Sequence, residues 1–282
     1  MRLIFPLSSF GVSLLAPISL LACATSPSTD LSRLPAGLTL QEKGPQKYRF
    51  TCDYLHFDVQ GNFKNKQRVQ AEYTRNLPGG RLRWRNATVA FAGGFTDAFA
   101  GEQKQACMED FGYSDSERED MLKPKFFKDF PASPFAPLLK NLVWDTHMIE
   151  GFGQGYFERL KLNEPFRPEK GSGDVPLAGM GKFHNTQIEL TWIGNSERNG
   201  EACALIRYQA FFNRFEINFM GTPSKGRSHY WGEIWVSLED KQIEHATLYE
   251  DVLLGPPDLE QAIGKLWSVF RIGTLEKVPP SR

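Results

Sequence analysis

The sequence predicts an α+β fold: a curled antiparallel meander of about eight strands, a half-barrel, with helices from the middle and the end of the chain packed against it. Three observations carry this expectation. Apolar and polar residues alternate with period two toward both ends of the chain body, as in "KYRFTCDYLHFDV" and "IEHATLYEDV". Turn signals separate those runs at Gly61-Asn62, at "LPGG" and at "NSERNG". Residues 97 to 180 lose the alternation and gain helix signals instead.

Taken in order, residues 47 to 92 read as three antiparallel strands, broken at Gly61-Asn62 and at "LPGG". In "SPFAPLLKNLVWDTHMIEGFGQG", Ser133 is placed to cap a helix with Pro134 at its first position, and the glycines from Gly151 onward stop it. A second strand set follows in "TQIELTWIG", "EACALIRYQAFF", "RFEINFM" and the two runs of residues 228 to 252. A last helix is expected in "PPDLEQAIGKLWSVFRIG", ending at Gly273.

Residues 1–22 have the layout of an export signal: Arg2, then an apolar stretch, then small residues. Two cleavage readings compete. "LLAC", Leu20 to Cys23, resembles a bacterial lipobox with Cys23 as the lipidated residue, whereas "ACA" at Ala22 to Ala24 offers an A-x-A site. The polar, Pro-rich stretch of residues 23–46 suits a tether and favours lipidation at Cys23. The expected address is therefore the bacterial cell envelope, as a membrane-anchored lipoprotein facing the periplasm. Residues 47–282 form one β-rich domain with a helical insertion at about 97–180.

With 33 basic and 33 acidic residues, and no block of Lys or Arg, the chain lacks the positive stripe that backbone phosphates attract, and no nucleic-acid partner is expected. Beyond Cys23, the cysteines Cys52, Cys107 and Cys203 are odd in number, so at most one internal disulfide can form. Their spacings match no zinc pattern. His147 and Glu150 stand three apart without a second cluster, so neither a metal nor a cofactor is expected.

The densest stretch is "SHYWGEIWVSLEDKQIEHATLYEDV", residues 228 to 252. A hairpin turning at "EDKQ" with Leu238 opposite Ile243 would set Gly232 beneath Tyr249. It would also put His229, Trp231, Glu233 and Trp235 on one face, with Glu250 opposite Trp231. Two tryptophans alternating with a histidine and a glutamate suit the floor of a pocket. The helix of residues 134–150 carries Asp145 on its apolar stripe and Glu150 at the edge of that stripe. If that stripe meets the tryptophan face, Asp145, His229 and Glu233 become candidates for acid/base catalysis, while Trp231, Trp235, Glu250, Glu150 and Arg207 become ligand contacts.

"LVWDTHMIE", "IELTWIGNSERNGEACALIRYQAFFN" and "YWGEIWVSLEDKQIEHATLYEDV" resemble an uncharacterised family of exported bacterial proteins over residues 125 to 253. More loosely, the architecture resembles the periplasmic lipoprotein-carrier half-barrels. The expected function is binding of a small or lipophilic ligand between the sheet face of residues 229–237 and the helix of residues 134–150. An acid/base enzyme of hydrolase type and an envelope structural protein are the alternatives.

Overall fold

The computed structural model describes residues 34–42, 44–219, 221–258 and 265–279. The expected export signal, Cys23 and the first part of the expected tether lie outside the described residues. The described part of the tether lies against the domain: Leu34 is buried, Leu38 packs on the core, and the Gln41 amide donates to the Asp240 carbonyl at 2.9 Å.

Among the described residues, twelve strands form a single antiparallel sheet. They are β1 (Gln46–Asp58), β2 (Phe63–Leu77), β3 (Arg81–Ala92), β4 (Ala100–Lys104), β5 (Gly112–Ser114), β6 (Gly173–Pro176), β7 (Gly181–Asn185), β8 (Ile188–Arg198), β9 (Glu201–Phe219), β10 (Thr222–Ser237), β11 (Ile243–Gly255) and β12 (Trp267–Val278). The order is β4-β3-β2-β1-β12-β11-β10-β9-β7-β6, with β5 on β3 and β8 on β9. The sheet does not close, and it has more strands than the eight expected. The three-stranded reading of residues 47 to 92 holds as β1, β2 and β3. Asn199-Gly200, both at positive φ, turn β8 into β9 as an Asn-Gly pair favours.

The largest departure is at the C-terminus. Residues 267 to 273, expected as the end of a helix, belong to β12, which lies between β1 and β11 and joins the two strand sets into one sheet. Val269, Arg271, Gly273 and Leu275 alternate on its buried side. Without this strand, β1 and β11 would each present an unpaired edge, and Trp267, Val269, Phe270, Ile272 and Thr274 are residue types that favour strands.

The insertion of residues 97–180 is also less helical than expected. It holds β4, β5, β6 and several short 3-10 turns, with one α-helix, α1 (Ala136–Glu150), among its described residues. Pro137 rather than Pro134 lies in the first turn of α1, and the helix continues into a single π turn at Gly151–Gly155. Leu138, Leu139, Leu142, Val143 and Ile149 bury its apolar side against the sheet. Phe152 packs on Tyr208 of β9 with ring centroids 5.4 Å apart. A Cβ on Gly153 would touch Ile234 and Val236 of β10. One sheet face is therefore the helix face, and the other is the outer face. Cys52, Cys107 and Cys203 are all free thiols. No helix among the described residues is long and apolar enough to cross a membrane.

Candidate functional site

The residues expected to share one cleft are divided between the two faces of the sheet. The observed β10–β11 register pairs Tyr230 with Glu250 and Trp231 with Tyr249, one residue away from the expected pairing; beside the turn Val236 faces Ile243 in place of the expected Leu238, and a bulge at Trp235/Val236 turns that two-residue offset into one. A one-residue shift exchanges the faces of the partner strand. His229, Trp231, Glu233 and Trp235 do share a face, but it is the outer one, beside Tyr249, Thr247 and His245. Glu250 is on the helix face, not opposite the tryptophans as expected.

On the outer face, Trp231, Trp235, Phe211 and Tyr249 surround a groove of about 650 Å³ whose polar lining includes Arg207, Gln209 and Glu233. The Trp231 ring lies 6.0 Å from Tyr249, 6.1 Å from Phe270 and 6.5 Å from Phe211. Trp235 meets His245 edge-on at 4.9 Å, with the Arg198 guanidinium 6.0 Å over its ring. Arg207 donates to Glu233 at 3.0 Å, a half-exposed pair lying between the two tryptophans. The groove offers ring faces for apolar matter and one ion pair for a polar group.

Beside the groove, β9 carries a bulge that sequence reasoning read as a break between two strands. Phe211 and Phe212 together oppose His229, and Phe212 is held at φ 61° while 71% exposed. Its amide donates to His229 Nδ1 at 3.2 Å. An exposed phenylalanine in the left-handed region is strained and gains little from burial, a combination that concentrates at functional positions. The sequence gives no sign of it, because the residue that leaves the extended region is Phe212, where a G1 bulge would carry Gly.

Beneath α1, Asp145 pairs with Arg271 of β12, which also pairs with Glu250 of β11. Ser228 donates to the other Glu250 oxygen at 2.5 Å, and the guanidinium lies 5.1 Å from the Tyr54 ring. Burial pushes the Asp145 carboxyl up to about 6; Arg271 opposes this and Glu250 reinforces it. One guanidinium cannot neutralise two desolvated carboxylates. A second buried network ends α1: Glu150 takes Arg75 at 2.5 Å and Arg118 at 2.6 Å, and Tyr73 donates to it at 3.3 Å. Burial pushes the Glu150 carboxyl up, but the two guanidinium groups outweigh it and hold the carboxyl below its ordinary value.

Asp145 and Glu150 are thus partnered on the helix face, and the cleft expected between α1 and residues 229–237 does not form. His229 and Glu233, four residues apart on one strand, are about 13 Å apart along it. The expected trio Asp145, His229 and Glu233 does not converge. Sequence reasoning missed Arg271, Arg75 and Arg118. A period-two reading of residues 267 to 278 would have placed Arg271 on the buried side with Val269 and Leu275.

No family model matches the chain, and no curated protein matches it. Among solved structures, lipovitellin, from a study of lipid–protein interactions, superimposes with a TM-score of 0.40 at 10% identity over 86% of this chain, which spans 26% of that one. A DUF1329 family protein from Desulfovibrio piger gives 0.17 at 8% identity, covering 85% of this chain and 89% of that one. Neither likeness is close enough to enter the functional reading.

Proposed function

We propose that this chain is an exported, lipid-anchored binding protein that holds a small or lipophilic ligand in the outer-face groove, with Trp231, Trp235, Phe211 and Tyr249 against its apolar part and Arg207 and Glu233 against a polar group. The observation that carries this reading is the groove itself, where four aromatic side chains around an ion pair are left half-exposed on a sheet whose other face packs against α1. Export and lipidation at Cys23 rest on the amino-terminal sequence. The acid/base alternative loses its support once its three groups are separated by the sheet and by strand length. The test is intrinsic tryptophan fluorescence of the full chain titrated with a brominated fatty acid. Saturable quenching that is lost in Trp231→Ala and weakened in Arg207→Ala supports the reading. Quenching that is absent, or unchanged in both variants, overturns it.

A further inference from the structure

Three segments meet at one end of the sheet. The Asn199-Gly200 turn leads into Glu201, the β10–β11 turn carries Asp240 and Gln242, and Glu244 follows in β11. The third is the amino-terminal segment, whose Gln41 carbonyl accepts from Gln242 Nε2 at 2.7 Å. Carboxylate oxygens of Glu201, Asp240 and Glu244 all lie within 4.8 Å of one another. Asp240 and Glu244 are 7% and 2% exposed.

Compensation for this charge is incomplete. Among the described residues one ammonium, Lys277, reaches the cluster, on Glu244, whose other oxygen accepts from Asn199 at 3.2 Å. The two Asp240 oxygens accept from the Gln242 backbone and side-chain amides, both at 3.0 Å. Glu201 Oε2 is buried and faces no donor. Three carboxylates against one ammonium leave negative charge in a desolvated place, an arrangement that calls for a cation.

Gln242 supplies an independent observation. It is 2% exposed, and its Nε2 is committed to two acceptors, Asp240 Oδ2 and the Gln41 carbonyl. That fixes the amide orientation, because a flipped amide would set its oxygen against both. Gln242 Oε1, on the same amide that touches the Asp240 carboxylate, is therefore a buried acceptor without a donor. Glu201 Oε2 and Gln242 Oε1, the latter on the amide bonded to Asp240, are both buried acceptors without a donor, a lack that a cation would meet. Calcium binds oxygen ligands at about 2.3–2.6 Å, so two ligands on opposite sides of one ion stand roughly 5 Å apart, which accommodates the observed span. Carboxylates and an amide oxygen, without sulfur or imidazole, form a hard set that suits calcium better than zinc.

We propose that Glu201, Asp240, Glu244 and Gln242 Oε1 form a calcium site that ties the β8–β9 turn, the β10–β11 turn and, through Gln242, the amino-terminal segment together. Linear spacing does not reveal it, because its members come from separate turns. The site shares no residue with the lining of the aromatic groove, so its failure and the failure of the binding reading are separately measurable.

The experiment is isothermal titration of the EDTA-stripped full chain with calcium chloride, together with thermal melts in EDTA and in excess calcium. A one-site isotherm and a rise in Tm of about 5 °C or more at saturation support the proposal. Glu201→Gln and Asp240→Asn abolish the calcium-dependent rise, and magnesium gives a weaker one at equal concentration. A flat titration of the wild-type chain, or a calcium-dependent rise retained in Glu201→Gln, overturns it. The wild-type titration decides the matter even if a variant fails to fold.

Discussion

The Tyr208 hydroxyl of β9 reaches across Gly232 of β10 and donates to the Thr247 carbonyl of β11 at 2.8 Å, tying two strands together over the one between them. The missing side chain is what allows this: a Cβ on Gly232 would lie 2.0 Å from the Thr247 carbonyl oxygen and 2.7 Å from the Tyr208 hydroxyl. Gly232→Ala is expected to destabilise by about 1–3 kcal/mol. Tyr208→Phe, which keeps the ring and loses the bond, should cost about 1 kcal/mol. Urea denaturation of both variants checks this, and an unchanged midpoint for Gly232→Ala would contradict the β9–β10–β11 register.

Arg271 holds two buried carboxylates, so its removal differs in kind from removal of either partner. Arg271→Met strands Asp145 and Glu250 together and is expected to destabilise by about 3–5 kcal/mol. Asp145→Asn leaves Arg271 paired with Glu250 and should be far milder. The ranking is read from denaturation midpoints at neutral pH, and equal losses for the two variants would show that the network is not shared in this way.

The same pair gives a pH dependence of definite sign. Burial raises the Asp145 carboxyl from an ordinary 3.8 to about 6 in the folded chain. Between those values the folded state binds more protons than the unfolded one, so this group's contribution falls as pH rises and is least favourable above about 6. Glu150, held below its ordinary value by Arg75 and Arg118, contributes in the opposite direction, with stability lost on acidification. The difference between Asp145→Asn and the wild type isolates the first effect. It should shift in favour of the variant by on the order of 3 kcal/mol between pH 4 and pH 7. A difference that stays flat over that window would contradict the raised carboxyl.

Phe212 combines a left-handed backbone with exposure to solvent. Asn tolerates that conformation, so Phe212→Asn is expected to keep or raise stability by up to about 1 kcal/mol. If the ligand extends from the groove past His229, the same variant weakens quenching by the brominated fatty acid. A clear drop in Tm would instead assign Phe212 a packing role.

Strands were legible wherever one face of the chain is buried and the other is wet. In residues 47 to 92, Phe50, Cys52 and Tyr54 alternate with half-exposed neighbours, and the turns carry their own Gly signals, so local chemistry suffices. The candidate site was legible only in part. That His229, Trp231, Glu233 and Trp235 share a face follows from the two-residue period alone. Which residues of β11 join them depends on a bulge near the turn, and a single extra residue exchanges the faces.

By itself the sequence determined the β-rich class, the first three strands, the existence of α1 and the grouping of the tryptophans, because each follows from side-chain periodicity or from a turn within a few residues. Only the tertiary structure decided that residues 267 to 278 are a strand, that α1 covers the face opposite the tryptophans, and that Asp145 meets Arg271. These depend on partners far away in the chain: β12 pairs with β1 across some 200 residues, and the ladder bonds it completes on both sides fix it as a central strand. The face that α1 covers is set by where the larger apolar surface lies once the whole sheet is assembled. That surface does not exist in any single strand.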